Sequence, residues 1–147
     1  MKRIFSCLLL LLLMTSFAVT AYADFQNPSI VDDAGYLMQS ELSSLSKELD
    51  KVREKYGFEV AIYTESDMTS STAEASADDI YDYQGYGAGE NDDGIMLYIC
   101  SSAREYHFTT HGKGLEYFNS RGLKYLESKV VPYLSEDNYY GKKIHDQ

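Results

Sequence analysis

The chain reads as an α/β protein, a three-layer α/β/α sandwich with a mixed central sheet. Three observations predict this. Helix-like and strand-like hydrophobic periods follow one another in the order helix, strand, helix, strand, strand, helix, a pattern that builds a mixed sheet with helices on both faces. The run Ile95-Met96-Leu97-Tyr98-Ile99-Cys100 is wholly apolar and opened by Gly94, the signature of a strand buried on both sides. The 147 residues, less a leader, suit one domain with one core.

The leader comes first. Lys2 and Arg3 form a positive n-region, and Ile4 to Met14 is apolar except for Ser6. Ala21-Tyr22-Ala23 has the small-x-small form of a cleavage site, which makes residues 1–23 a signal peptide and Asp24 the mature start. An uncleaved anchor is the alternative, since Ile4 to Ala23 just reaches across a thin bilayer, but Thr15, Ser16 and Thr20 oppose it. The expected route is Sec export to the periplasm or the exterior, with membrane association left open. Residues 24–147 form the single expected domain.

Along that domain, residues 24–29 read as a short leader with a turn at Asn27-Pro28. A helix is expected over 40–56, with Ser40 as N-cap, Gly57 as C-cap, and Leu42, Leu45, Leu49, Val52 and Tyr56 as one buried stripe. Residues 58–64 alternate as a strand with Phe58, Val60 and Ile62 on one face. Ser71 and Glu74 have the spacing of a capping box, opening a helix that runs through about Tyr83 and ends at Gly85. The Ile95 strand is joined to a strand over 104–110 by Ser101-Ser102-Ala103, a hairpin. A flexible bend at 111–114 follows, then a helix over 120–131 that should stop at Pro132. Asp137 and Asn138 are placed to cap a final helix starting near Tyr139, which is so short that a truncated C-terminus is expected.

Composition excludes some function classes. All 23 acidic residues lie in the mature part and two of the 13 basic ones leave with the signal, so the mature charge is 11 minus 23, or −12. That disfavours nucleic acid and anionic membrane surfaces and permits cations and basic proteins as partners. After cleavage Cys100 is the sole cysteine, which rules out an internal disulfide and reads as a core residue. There are 14 Tyr and no Trp.

The candidate chemistry is acidic. Glu90-Asn91-Asp92-Asp93 places three carboxylates and an amide directly before the apolar strand, and Asp32-Asp33 forms a second pair upstream. Adjacent carboxylates call for a cation or for water, and Ca²⁺ takes oxygen ligands of this type. Asp32, Asp33, Asp92 and Asp93 are therefore the candidate metal ligands, on the expectation that their two loops meet on one rim of the sheet. For Asp32, turn-making is an equal alternative. An EF-hand is excluded: with Gly94 at its sixth position, Gly89 falls where Asp is required and Cys100 where Glu is required. His107 and His111 are too far apart on a strand to form a zinc pair. No nucleophile with an adjacent base, phosphate-binding Gly loop or nucleophile elbow is visible.

Several blocks together resemble one family. Val31-Asp32-Asp33-Ala34-Gly35-Tyr36-Leu37 is similar to the opening block of the TPM domain, and Gly57-Phe58-Glu59-Val60-Ala61-Ile62 to its first core strand. Tyr86-Gly87-Ala88-Gly89 and Asp92-Asp93-Gly94-Ile95-Met96-Leu97 resemble its aromatic-Gly-x-Gly and Asp-Asn-Gly blocks. Arg104, Gly112, Gly114, Leu115, Glu116, Val131-Pro132-Tyr133 and Asn138-Tyr139 continue the match. Asp93 stands where the family usually has Asn, and Tyr86 where Trp is common. The resemblance implies an exported α/β/α domain of the kind shared by a thylakoid-lumen acid phosphatase, photosystem repair factors and bacterial envelope proteins. It implies an acidic pocket for Ca²⁺ and service in an envelope or membrane protein complex. A metal-assisted acid phosphatase is the alternative reading, and a structural domain without ligand the second.

Overall fold

The computed structural model describes residues 25–135. The signal peptide expected over residues 1–23 and the final helix expected near Tyr139 lie outside the described residues. Four strands form one mixed sheet in the order β1-β2-β3-β4: β1 Ile30–Asp32, β2 Glu59–Glu65, β3 Gly94–Cys100 and β4 Glu105–His111. β1, β2 and β3 are parallel, and β4 returns antiparallel to β3 through the expected hairpin. The helices are α1 Gln39–Tyr56, α2 Ala73–Gln84, the single turn α3 Gly114–Tyr117, and α4 Ser120–Ser135.

Strand parity sorts the sheet into two unlike faces. On one, Ala61, Tyr63, Met96, Tyr98 and Cys100 pack against Ala73, Ala77, Ile80 and Tyr81 of α2, with Tyr86 closing the cluster. Met96, Tyr98 and Tyr81 are fully buried there. On the other, Val60, Ile62 and Leu97 are only half-buried beneath α1 and α4. The chain therefore has one dense core and one looser layer.

Sequence periodicity located the elements but not all of their ends. Gly57 and Gly85 cap α1 and α2 in left-handed conformation, at φ 57° and 73°, which glycine adopts without steric penalty. α1 begins at Gln39, one residue before the expected cap at Ser40; the Met38 amide donates to the Glu41 carboxylate at 3.0 Å instead. The stripe on α1 is also looser than expected, with Val52 and Tyr56 exposed and the polar Arg53 as the buried residue. Thr72 caps α2 through its hydroxyl, which accepts from the Ala75 amide at 3.1 Å. α4 runs through Pro132 to Ser135 rather than stopping, although Pro132 has no amide to bond the Ser128 carbonyl and disfavours helical backbone at Val131; only its last turn lies beyond the proline. β1 and α3 were not anticipated, since three and four residues carry no readable period.

Before β1, residues 25–29 act as a strap. Asn27 Nδ2 donates to the Gln84 and Gly85 carbonyls at 3.0 and 3.2 Å, at the end of α2. Its own carbonyl accepts from Arg53 Nη1 of α1 at 3.0 Å, so this one residue ties together the helices on opposite faces.

Candidate functional site

Asp32 closes β1. Its Oδ1 accepts from the Thr64 hydroxyl at 2.7 Å and the Tyr36 amide at 3.1 Å, and its Oδ2 from the Leu37 amide at 2.8 Å. Thr64 in turn accepts from the Ala34 amide at 3.2 Å. The carboxylate thus organises the loop that leads into α1, the turn-making alternative. Asp33 is exposed, and its amide donates to the Thr64 carbonyl at 3.0 Å. Asp32→Ala is expected to lower the unfolding free energy by about 1–2 kcal/mol, the range of a lost cap. Urea unfolding checks this as a lower midpoint at unchanged slope.

Asp92 and Asp93 stand at the other end of the sheet. Asp92 is exposed and left-handed, at φ 52°, and its carbonyl accepts from the Tyr81 hydroxyl at 3.0 Å. Asp93 is buried. Its Oδ1 accepts from the Lys113 amide at 2.8 Å, and its Oδ2 lies 3.4 Å from Lys113 Nζ. It is a strut between the entry to β3 and the exit from β4.

The structure joins Asp32 with Asp33, and Asp92 with Asp93, but does not bring the two pairs to one rim. Thr64, the register partner of Asp32, is five residues along β2 from Glu59, the partner of Gly94, which is roughly 16 Å at strand rise. The reason is direction: the first pair leaves a parallel strand at its carboxyl end, and the second enters one at its amino end. Among the described residues, no group of three or more His, Cys, Asp and Glu side chains is placed to hold a metal ion.

Two features escaped the sequence reading. The first is a cleft that runs from the sheet face beneath α1 and α4 to the carboxyl end of β3. A cavity of about 320 Å³ lies between Leu45 of α1, Ile62 and Leu97 of the sheet, and Val130, Tyr133 and Leu134 of α4. A second, of about 580 Å³, adjoins it across Tyr36, Ile99 and Leu134 and reaches Arg104 and Glu105. Arg104 holds a left-handed backbone at φ 54° in the β3–β4 turn. The second feature is a polar chain between α2 and β4. Thr109 Oγ1 bonds Asp78, His111 Nε2 lies 3.1 Å from that hydroxyl, and His111 Nδ1 lies 3.7 Å from Asp82 Oδ1. The Tyr81 ring stacks on His111 at 4.1 Å, and burial together with the surrounding carboxylates, Glu59 foremost, pushes its hydroxyl far above the usual tyrosine range. The i, i+4 spacing of Asp78 and Asp82 was visible in sequence; their strand partners were not.

The architecture defines a class: an α/β/α domain whose short parallel sheet ends in an antiparallel hairpin, with an open cleft at the carboxyl edge. Within that class, the TPM domain model matches residues 30–141, and the chain belongs to the TPM domain family. Solved structures agree in fold. The chain is similar to the N-terminal domain of a P. gingivalis protein, determined in solution by NMR, at TM-score 0.67 and 20% identity over 77% of this chain and 73% of that one. It is also similar to the N-terminal domain of cg2496 from Corynebacterium glutamicum, at TM-score 0.63 and 13% identity over 86% and 79%. No curated protein matches.

Proposed function

We propose that this TPM domain is an exported binding module that holds part of an envelope or membrane protein complex in the cleft at the carboxyl edge of its sheet. The observation that carries this reading is the cleft: an apolar lining from the sheet, α1 and α4, with Asp32, Lys129, Arg104 and Glu105 as its few charged groups. Concave, mostly apolar sites with sparse polar groups are the usual form of a binding pocket, and open α/β sheets bind at this edge. Its outer wall, α4, has no buried residue, so seating a partner segment adds burial that the domain alone lacks.

A photo-crosslinking side chain at Leu134 tests it. Crosslinks to an envelope component are expected from Leu134, absent from the exposed Gln84 on the opposite face beside the strap, and abolished by Tyr133→Asp. Equal crosslinking from both positions, or none from Leu134, ends the reading.

Ca²⁺ has a minor part in this proposal. With the carboxylates split between two ends, a bound ion meets at most one pair, which places affinity near the weak, millimolar class. Millimolar Ca²⁺ is then expected to stabilise by about 1 kcal/mol or less, a rise of a few degrees at most in Tm. A thermal melt with and without the ion measures it, and a large rise would restore a preformed metal centre. The phosphatase alternative draws less support. Thr109 is buried and its hydroxyl is engaged by Asp78, and the neighbouring carboxylates repel phosphate.

A further inference from the structure

We propose that the outer edge of β4 is a strand-addition site for an extended basic segment of another protein, seated beneath the carboxylates of α2. This surface is separate from the cleft and does not depend on the reading above.

The sheet order leaves β1 and β4 as edges, and β1 is only three residues long. The direction of the β4 main chain follows from its neighbours. The Glu59 amide donates to the Asp93 carbonyl, and the Ser101 amide to the Glu65 carbonyl, both at 3.0 Å. Odd-numbered residues of β3 therefore bond towards β2, and the even-numbered ones towards β4. The partners of Gly94, Met96, Tyr98 and Cys100 are His111, Thr109, His107 and Glu105. Tyr106, Phe108 and Thr110 are left with their N–H and C=O groups pointing away from the sheet, and no strand lies beyond them among the described residues. Natural edges are commonly blunted by proline, lysine or a bulge. β4 has none of these, and its register with β3 is unbroken over seven pairs. Such an edge is a template for an added strand.

Charge identifies the occupant. Thr109 and His111 point towards α2 and meet Asp78 and Asp82 there. α2 also carries Glu74 and Asp79 and has no basic residue; from 56 to 103 the chain contains no Lys or Arg at all. A strand added beside β4 sets alternate side chains on that acidic side and the others beside Tyr106 and Phe108. The complementary segment alternates basic with apolar residues. A second copy is disfavoured, because pairing β4 with itself sets two acidic α2 helices on the same side of the joined sheet.

Amide hydrogen exchange on the protein, followed by NMR, tests the proposal with two probe peptides of seven residues, one alternating Lys with Val and the other Glu with Val. The Lys–Val peptide is expected to slow exchange at Tyr106, Phe108 and Thr110 by about 10-fold or more, and the Glu–Val peptide to leave it unchanged. Glu74→Gln with Asp82→Asn, both exposed, should weaken Lys–Val binding about 5-fold or more, as should added salt. Unchanged exchange at millimolar Lys–Val peptide overturns the site. Equal protection by both peptides overturns the charge assignment, and protection that rises with protein concentration alone gives the edge to a second copy.

Discussion

Replacing Arg53 with Met is expected to destabilise the domain by about 3–5 kcal/mol at neutral pH, the range for breaking one side of a buried ion pair. Arg53 and Glu59 are 3% and 1% exposed, so neither has water to fall back on. Arg53 Nε donates to Glu59 Oε1 at 2.6 Å, Nη2 pairs with the same carboxylate, and Nη1 reaches Asn27 and Asp50 at 3.0 and 3.3 Å. The Phe25 ring lies 4.9 Å from the guanidinium carbon. The substitution keeps much of the volume and removes the countercharge, leaving Glu59 ionised in a dry site.

The pH dependence distinguishes lost charge from lost packing. Burial raises the Glu59 carboxyl above its ordinary 4.5, and Arg53 opposes that rise. The folded state therefore holds this proton more tightly than the unfolded chain does. Glu59 contributes most at low pH, below its unfolded value, and that contribution is lost as pH climbs through the raised folded value. Without Arg53 the carboxyl rises further. The penalty of Arg53→Met should be greatest near pH 7 and shrink on acidification towards pH 4.5, as Glu59 takes up its proton. Adding Glu59→Gln should recover much of the loss at pH 7. Denaturant unfolding of the single and double variants at several pH values measures both effects, and a pH-independent penalty would assign the cost to packing.

Gly112→Ala is the second large effect, about 2–5 kcal/mol. Gly112 sits at φ +53°, and a Cβ there would overlap Asp93 Oδ1 and stand 2.6 Å from the Asn91 carbonyl. Left-handed geometry costs an L-residue roughly 1–2 kcal/mol, and forcing an atom into a filled site adds about 1–3 kcal/mol. Because Asp93 also accepts from the Lys113 amide, the clash displaces the strut joining β3 to the β4 exit. Thermal melts report the loss. Asp93→Ala/Gly112→Ala removes the nearest obstacle and should cost less than the two single changes added together, the mark of a shared contact. Strict additivity would place the cause in backbone strain alone.

The two changes also mark what could be read along the chain. Arg53 sits in a helix of mostly polar residues, QSELSSLSKELDKVREKY, where nothing local separates it from Lys51 or Lys55. Its burial comes from the strap at 25–29, 26 positions upstream at Asn27, and from Glu59 at the start of β2, which reaches it only because the chain folds back at Gly57. Gly112 was legible as a bend, but the reason it must be glycine is Asp93, nineteen residues earlier. The β3 strand was legible because a continuous apolar run has few other uses, and the glycine caps because they stop a helix by their own conformation. The cleft was not, because its walls come from α1, α4 and two strands, each amphipathic for reasons that say nothing of the others.

Composition, helix caps and the apolar strand determined the layers of this domain, since each acts over a few neighbouring residues. Where the acidic pairs stand was decided by strand direction. Parallel pairing of β1, β2 and β3 sends Asp32 to one end and Asp93 to the other. That pairing joins register partners 32 and 35 positions apart through main-chain bonds, which leave no mark on the local pattern of side chains.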